Sequence, residues 1–219
     1  MGAALVSIRA SRMRRHGELL LSSLPKPLDE AIADVRRSGA PVAGVFRGRL
    51  GSEEEVTSPG GVVCAFYESE IRQPSGRGRR GPLLTSERGY SETLWLRGEL
   101  GEAMLTFSPK HAIGRHEAHR CTVLVRLTEG RRALASRPTP VEAVSFERLG
   151  RKGDICLVAG ELRPGRGPGS YEVRGPGGGP ATVILGEEVV DSGRSVLQRS
   201  WRAWATAALL CVVAAGLLA

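Results

Sequence analysis

The last 17 residues, Ala203 to Ala219, carry no charged side chain and read AWATAALLCVVAAGLLA. A run of that kind leaves a helix two homes, a hydrocarbon layer or a protein core. At about 1.5 Å per residue it spans roughly 25 Å, a little short of a bilayer core of roughly 30 Å. Slight bilayer thinning or snorkelling flanks close the gap. Arg194, Arg199 and Arg202 precede the run, and Trp201 and Trp204 fall where an interfacial aromatic belt lies. The sequence therefore predicts a single-pass anchor over 203–219. By the positive-inside rule the bulk of the chain is cytoplasmic. A buried core helix, or a stretch left over from a larger protein, is the alternative. No amphipathic period is visible to support a core helix.

Without the anchor about 200 residues remain, enough for one domain with a real core. Gly 29 and Pro 13 with 5% aromatic residues favour short strands and many turns around a modest core. The net charge of +8, mostly from arginine, fits anionic lipid, an acidic protein or nucleic acid. Lipid ranks first once an anchor is predicted, another protein is the expected second partner, and nucleic acid ranks well below. The cysteines, Cys64, Cys121, Cys156 and Cys211, never form a C-x-x-C pair, which excludes a local zinc site of the finger or RING type. They read as small apolar thiols in a reducing compartment. The N-terminus lacks the apolar core of a secretory signal.

Residues 3 to 24 set leucines among Arg9, Arg12, Arg14 and Arg15, a basic, partly amphipathic helix suited equally to a membrane surface or to solvent. Pro27, Asp29 and Glu30 open a second helix that runs through Arg37 and ends at Ser38-Gly39. From Ala40 the chain reads as β. Strands are predicted over 42–50, with Gly48 a candidate bulge, over 62–71 after a tight loop at 57–61, and over 120–127. A hairpin is predicted over 93–107, and 73–90 and 128–140 read as loops. A second hairpin joins 141–149 to 155–162 through Gly150-Arg151-Lys152-Gly153-Asp154. Short strands separated by glycine turns favour a small barrel or sandwich.

His111, His116 and His119 lie within nine residues beside Glu117, the first place to look for a metal. Their spacing is wrong for H-E-x-x-H and no cysteine or second carboxylate completes a set, so exposed loop histidines are expected. Arg72, Arg77, Arg79 and Arg80 crowd one Gly/Pro-rich loop, a solvated connection or an electrostatic contact for anionic lipid or an acidic protein segment. No aromatic is interleaved to stack bases. Residues 165–180 are glycine-rich but lack the Lys-Ser/Thr pair of a P-loop, so turns are expected. Glu68 and Glu70 point the same way from a strand end that reads as solvent-facing. No serine elbow or activated cysteine is visible, and neither a catalytic constellation nor a cofactor is expected.

Ser58-Pro59-Gly60-Gly61-Val62-Val63-Cys64-Ala65-Phe66-Tyr67, followed by a long loop, resembles the S-P-x-x-x-x-C-x-x-Y segment of GIDE domains. These are the membrane β domains of MULAN/MAPL-type E3 ubiquitin ligases and their prokaryotic relatives. Phe107-Ser108-Pro109 is similar to the family's V-x-P segment. Phe146 to Gly160, with Glu147, Leu149, Gly153, Asp154 and Gly160, is similar to its last hairpin, where Gly153-Asp154 supplies the turn, Gly160 a close approach or bulge, and Glu147 a partner for an arginine across the pair. The likeness covers about 27–219. Two departures stand out: only the basic segment 3–24 lies where relatives carry a first transmembrane helix, and no RING cysteines follow the domain.

The organisation expected is a basic helical segment over 1–39, a GIDE-like β domain over 40–187, a basic juxtamembrane helix over 188–202 and the anchor over 203–219. The fold class expected is mainly β (α+β), a small barrel or sandwich. The function implied is a membrane-anchored, non-catalytic binding or sensing module. The alternatives are a component of ubiquitin-ligase type, implied by the family, and a basic nucleic-acid-binding domain.

Overall fold

The computed structural model describes residues 24–75, 80–125 and 139–186. Five expectations lie outside those residues: the basic segment 3–24 apart from Leu24, the loop 128–140 apart from its last two residues, the juxtamembrane helix, the anchor with Arg199, Trp201, Arg202 and Trp204, and the loop arginines Arg77 and Arg79. Among the described residues no helix is long and apolar enough to cross a membrane.

The second predicted helix is present as α1 (Leu28–Ser38). Pro27 precedes it, and Asp29 and Glu30 occupy the first turn, where carboxylates favour the positive end of the helix dipole. Gly39 ends it at φ 66, a left-handed conformation that costs glycine little. The i, i+3, i+4 spacing of Leu28, Ala31, Ile32 and Val35 turns one face inward, and all four are buried.

The rest is mainly β. β1 (Lys26–Pro27) lies parallel to β2 (Val42–Ser52). β2 changes partner along its length, pairing antiparallel with β12 (Ile155–Pro164) over Val42–Arg49 and with β7 (Leu94–Arg97) over Arg49–Ser52. β7 pairs with β8 (Glu102–Leu105), β8 runs parallel to β13 (Tyr171–Arg174), and β13 returns to β12. The ring β2-β7-β8-β13-β12 therefore closes. In chain order it runs first, second, third, fifth, fourth, the Greek-key closure of an OB-type barrel. Two further strands, β14 (Thr182–Leu185) and β9 (Ala112–Ile113), extend the sheet beyond β12. The barrel is filled by Phe46, Leu50, Leu96, Val158, Leu162 and Val173, all buried, and the apolar face of α1 packs into the same core. Each large apolar side chain buried this way contributes roughly 1.5–3 kcal/mol.

The second sheet is built from two insertions between barrel strands. The β2–β7 connection supplies the short hairpin β3 (Val56–Thr57) and β4 (Val63–Cys64), then β5 (Phe66–Arg72) and β6 (Leu83–Tyr90). The β8–β12 connection supplies β10 (Glu117–Val125) and β11 (Thr139–Gly150). Their order is β10-β11-β5-β6, all antiparallel.

Four expectations are corrected here. Residues 83–90 are strand β6, not loop: Ser86, Glu87, Arg88 and Gly89 conceal strand character because β6 lies at a sheet edge and is mostly exposed. The segments 141–149 and 155–162 do not form a hairpin. β11 belongs to the second sheet and β12 to the barrel, and the turn between them docks on β2 through Leu50 N to Asp154 O and Gly153 N to Leu50 O, both 2.8 Å. The strand expected at 120–127 begins earlier, at Glu117. Gly48 is no bulge, since it pairs in register with Cys156. A Cβ there would lie 2.6 Å from the Arg97 carbonyl oxygen, so glycine is needed where β2 bends towards β7. The turn expectation at Gly153-Asp154 holds, with Gly153 at φ 91 and Asp154 Oδ2 accepting from Arg151 N at 2.8 Å. Gly160 is a close approach rather than a bulge, in register with Gly44 and facing the Arg174 carbonyl oxygen.

Gly48→Ala is expected to destabilise the fold by about 2 kcal/mol or more, through overpacking against backbone that cannot swing away. Gly44→Ala, whose Cβ would meet only the edge of Phe46 at 3.4 Å, is expected to stay within about 0.5 kcal/mol of the parent. Urea unfolding of both variants checks the contrast.

Candidate functional site

Ser58 and Glu147, far apart in sequence, meet in a buried clasp. The turn Ser58-Pro59-Gly60-Gly61 closes with Gly61 N donating to Ser58 O at 2.9 Å, and Pro59 presets the second position. Val62 N donates to Ser58 Oγ at 3.2 Å. Glu147, on β11, is fully buried. Its Oε2 accepts from Ser58 Oγ at 2.6 Å, while Oε1 accepts from Gly60 N at 2.7 Å and Ser145 Oγ at 2.6 Å. With its proton committed to Glu147, Ser145 accepts from Ser69 Oγ at 2.6 Å, and both serines are fully buried. Gly60 is required sterically, because a Cβ there would lie 2.5 Å from His119 Cβ.

Among the described residues no arginine hydrogen-bonds or pairs with Glu147, contrary to the expectation of a cross-strand pair. Its β neighbours are Ser69 and Glu117, and neutral donors satisfy it instead. Burying a carboxylate costs several kcal/mol. Hydrogen bonds to a charged acceptor contribute about 1.5–3 kcal/mol each, so three of them offset that cost.

Leu149, Tyr67 and Cys64 lie on the strands around the clasp, whereas Gly153, Asp154 and Gly160 sit at the barrel. Leu149 pairs with Tyr67, and Tyr67 packs over Gly89. Cys64 is buried at the hairpin base, its thiol pushed up to about 11 by burial and next by the Glu147 charge. Burial, followed by the charge of Asp154, raises Cys156 to about 12. Cys121 is half-buried and also raised, chiefly by burial. Burial disfavours the thiolate at both deep cysteines, and the clasp serines donate their protons to Glu147. The arrangement holds a loop in place.

Alternation along β11 sends Arg148 to the opposite face. Its side chain is 9% exposed and donates Nη1 to Glu68 at 2.8 Å and to the Ala112 carbonyl at 2.9 Å. Arg88 Nε reaches Glu68 at 3.0 Å. Glu70 accepts from Arg72 Nε and Nη2 at 3.1 and 2.9 Å, lies 3.7 Å from Arg80, and is held below the usual carboxylate range by the Arg72 hydrogen bond first. Arg80 also lies over Phe146 at 4.8 Å. Glu68 and Glu70 are thus partly buried and paired, not solvent-facing as expected.

The three histidines do not converge. His111 is half-buried in a single 3-10 turn after Ser108, His116 is exposed and 3.4 Å from Arg148, and His119 is half-buried in β10, 3.4 Å from Glu117. The expectation of exposed loop positions therefore holds for His116 alone. Partial burial, then Arg148, holds the His116 imidazole below its usual range. Among the described residues no three His, Cys, Asp or Glu side chains gather as metal ligands.

A concavity the sequence did not reveal lies outside the barrel. A half-open groove of about 760 Å³ runs between the β7–β8 face, the last turns of α1 and the loop 165–170. Trp95 and Met104 are cross-strand partners on its shelf, with Met104 45% exposed and Leu100, at its end, 93% exposed. The loop is held by Gly165 N to Ser170 O at 2.8 Å and Gly167 N to Ser170 Oγ at 2.9 Å, the turns expected there. The β7–β8 turn that carries Leu100 is fixed to α1, since Asp29 accepts from Glu99 N at 2.7 Å and Leu100 N at 3.1 Å. Arg36 donates to the Tyr171 hydroxyl at 2.7 Å and covers its ring. The signal for this face was the outward alternation of Trp95 and Arg97, then Glu102 and Met104, along a predicted hairpin.

Comparison with protein-family models, with curated proteins and with solved structures returns no match.

Glu147→Ala strands three donors and is expected to cost about 3 kcal/mol, whereas Glu147→Gln, which keeps one acceptor oxygen and lets the Ser58 hydroxyl rotate to accept, is expected to cost about 1 kcal/mol. Denaturant unfolding checks the order. Iodoacetamide at pH 8 is expected to label Cys64 and Cys156 only after unfolding, read by mass spectrometry of each peptide. Fast labelling of native Cys64 would make the clasp a reactive site.

Proposed function

We propose that this chain is a membrane-held, non-catalytic binding module of the GIDE type, facing the cytoplasm. The observation that carries the binding part is the groove beside the barrel. It is walled by three separate elements and lined by exposed apolar and cationic groups, a concave surface of the kind that takes a ligand. The membrane part rests on the uncharged run 203–219 with its arginine and tryptophan flank. The GIDE reading rests on the S-P-x-x-x-x-C-x-x-Y and Glu147-to-Gly160 segments, and the meeting of Ser58 with Glu147 gives those motif positions a shared physical task.

The second reading, a nucleic-acid-binding domain, is favoured by the OB-type strand order and by the basic groove on the face of its second and third strands. Fold alone does not decide between the two.

Flotation tests the membrane assignment. The full chain is expected to rise with liposomes through a density gradient, while a chain ending at Ser200 stays below; equal sedimentation of both would remove the anchor from the reading. Ubiquitin transfer in vitro together with bound zinc would replace the non-catalytic reading with a ligase.

A further inference from the structure

The charges around the groove are unevenly committed. Glu102 is held by Arg97 at 3.2 Å, and Glu172 by Arg174 at 2.9 Å and Arg163 at 3.3 Å. Both carboxylates are therefore already neutralised within the fold. Arg36 and Arg166 are not matched in this way: Arg36 spends its Nε on a neutral phenol, Arg166 stands exposed on the 165–170 loop, and neither has a carboxylate partner among the described residues. These two guanidiniums come from different elements, α1 and the β12–β13 loop, and both line the same groove.

Between them lies apolar surface. Trp95 is half-buried beneath the Arg97 guanidinium, which sits 5.6 Å from its ring centroid, and Met104 and Leu100 are exposed. Tryptophan, methionine and arginine are enriched at protein–protein interfaces, and a pliable methionine accommodates varied side chains. A single-stranded nucleic acid asks for something else, a succession of open aromatic faces along a continuous cationic track. Among its described lining residues the groove offers one indole, the Tyr171 ring is buried under Arg36, and Glu172 interrupts the track.

We infer that this groove binds an acidic segment of a partner protein, one that places an apolar side chain on the Trp95–Met104 shelf and carboxylates against Arg36 and Arg166. The proposal rests on the binding-module reading and names its ligand class. The anions meet cations that stay charged at every physiological pH, so salt, not pH, modulates the contact.

A phage-displayed library of random 12-residue peptides, panned on the full chain in a neutral-detergent micelle, tests the inference. Selected peptides are then labelled and titrated by fluorescence anisotropy beside a 20-nucleotide oligothymidine. Peptides combining Asp or Glu with Leu, Phe or Trp are expected, binding at least tenfold more weakly to the double variant Arg36→Gln, Arg166→Glu and losing affinity between 50 and 300 mM salt, on the order of several-fold. Both substitutions lie at exposed side chains, and an unchanged melting temperature certifies that the fold is retained. A separate Met104→Glu change is expected to weaken the same peptides. Selection of basic or uncharged peptides, or binding indifferent to both sets of substitutions, overturns the ligand class but leaves a binding module. Oligothymidine that binds the groove and displaces the peptides also overturns it, in favour of nucleic acid. Binding of neither probe overturns the ligand class and the binding-module reading together.

Discussion

A buried carboxylate held by neutral donors sets the terms for the second sheet. Glu147 can remain in that position only if donors surround it, and they come from three places: the β3–β4 turn, the neighbouring residue of its own strand, and, through Ser145, strand β5. The first and third belong to the insertion after β2, and the second to the insertion before β12. The clasp therefore ties together two excursions of the chain that leave the barrel at different points. Polar burial of this kind is directional in a way apolar packing is not, since a shifted register would leave donors and acceptor unmatched. On the opposite face, Arg148 and Glu68 meet the same requirement with opposite charges. One strand thus presents two buried ionisable groups in succession, each satisfied differently.

Local chemistry was legible in the sequence where a residue's conformation depends on its neighbours. Helix α1, with its proline before and glycine after, was readable, as were the Ser58–Gly61 turn, the β7–β8 hairpin and the Gly153-Asp154 turn. So was the closeness of packing at Gly160. Motif likeness pointed to Ser58, Cys64, Tyr67 and Glu147 without revealing that two of them touch. What escaped depends on pairing over long separations. The turn at 150–154 has hairpin chemistry, but β2 captures β12 and β5 captures β11, so the flanking strands part. Strand β6 escaped because an exposed edge has no apolar alternation to display. Ser69 and Ser145 read as ordinary strand serines until Glu147 stands between them and the loop.

The candidate sites divide by the work their residues already do. In the clasp, Ser58, Gly60 and Ser145 all spend their donors on Glu147, and burial raises the neighbouring Cys64 thiol. The arginines of the second sheet largely answer its glutamates. The groove differs, because its floor combines paired charges with apolar atoms left in water and two guanidiniums that nothing within the described fold neutralises. Surface chemistry that internal contacts leave unmet is where an external partner gains most.

The exchange of partners along β2 has a consequence for biosynthesis. Its first half waits for Ile155–Leu162, which the ribosome delivers only after both insertions have been made. Until then the nascent chain carries a long strand with an open edge. High sequence separation of this kind slows folding and prolongs exposure to other chains. Glycines at 44, 48 and 51 along that strand lower its intrinsic β propensity. The residues that later allow the ring to close also make its first strand a poor template for aggregation while it waits.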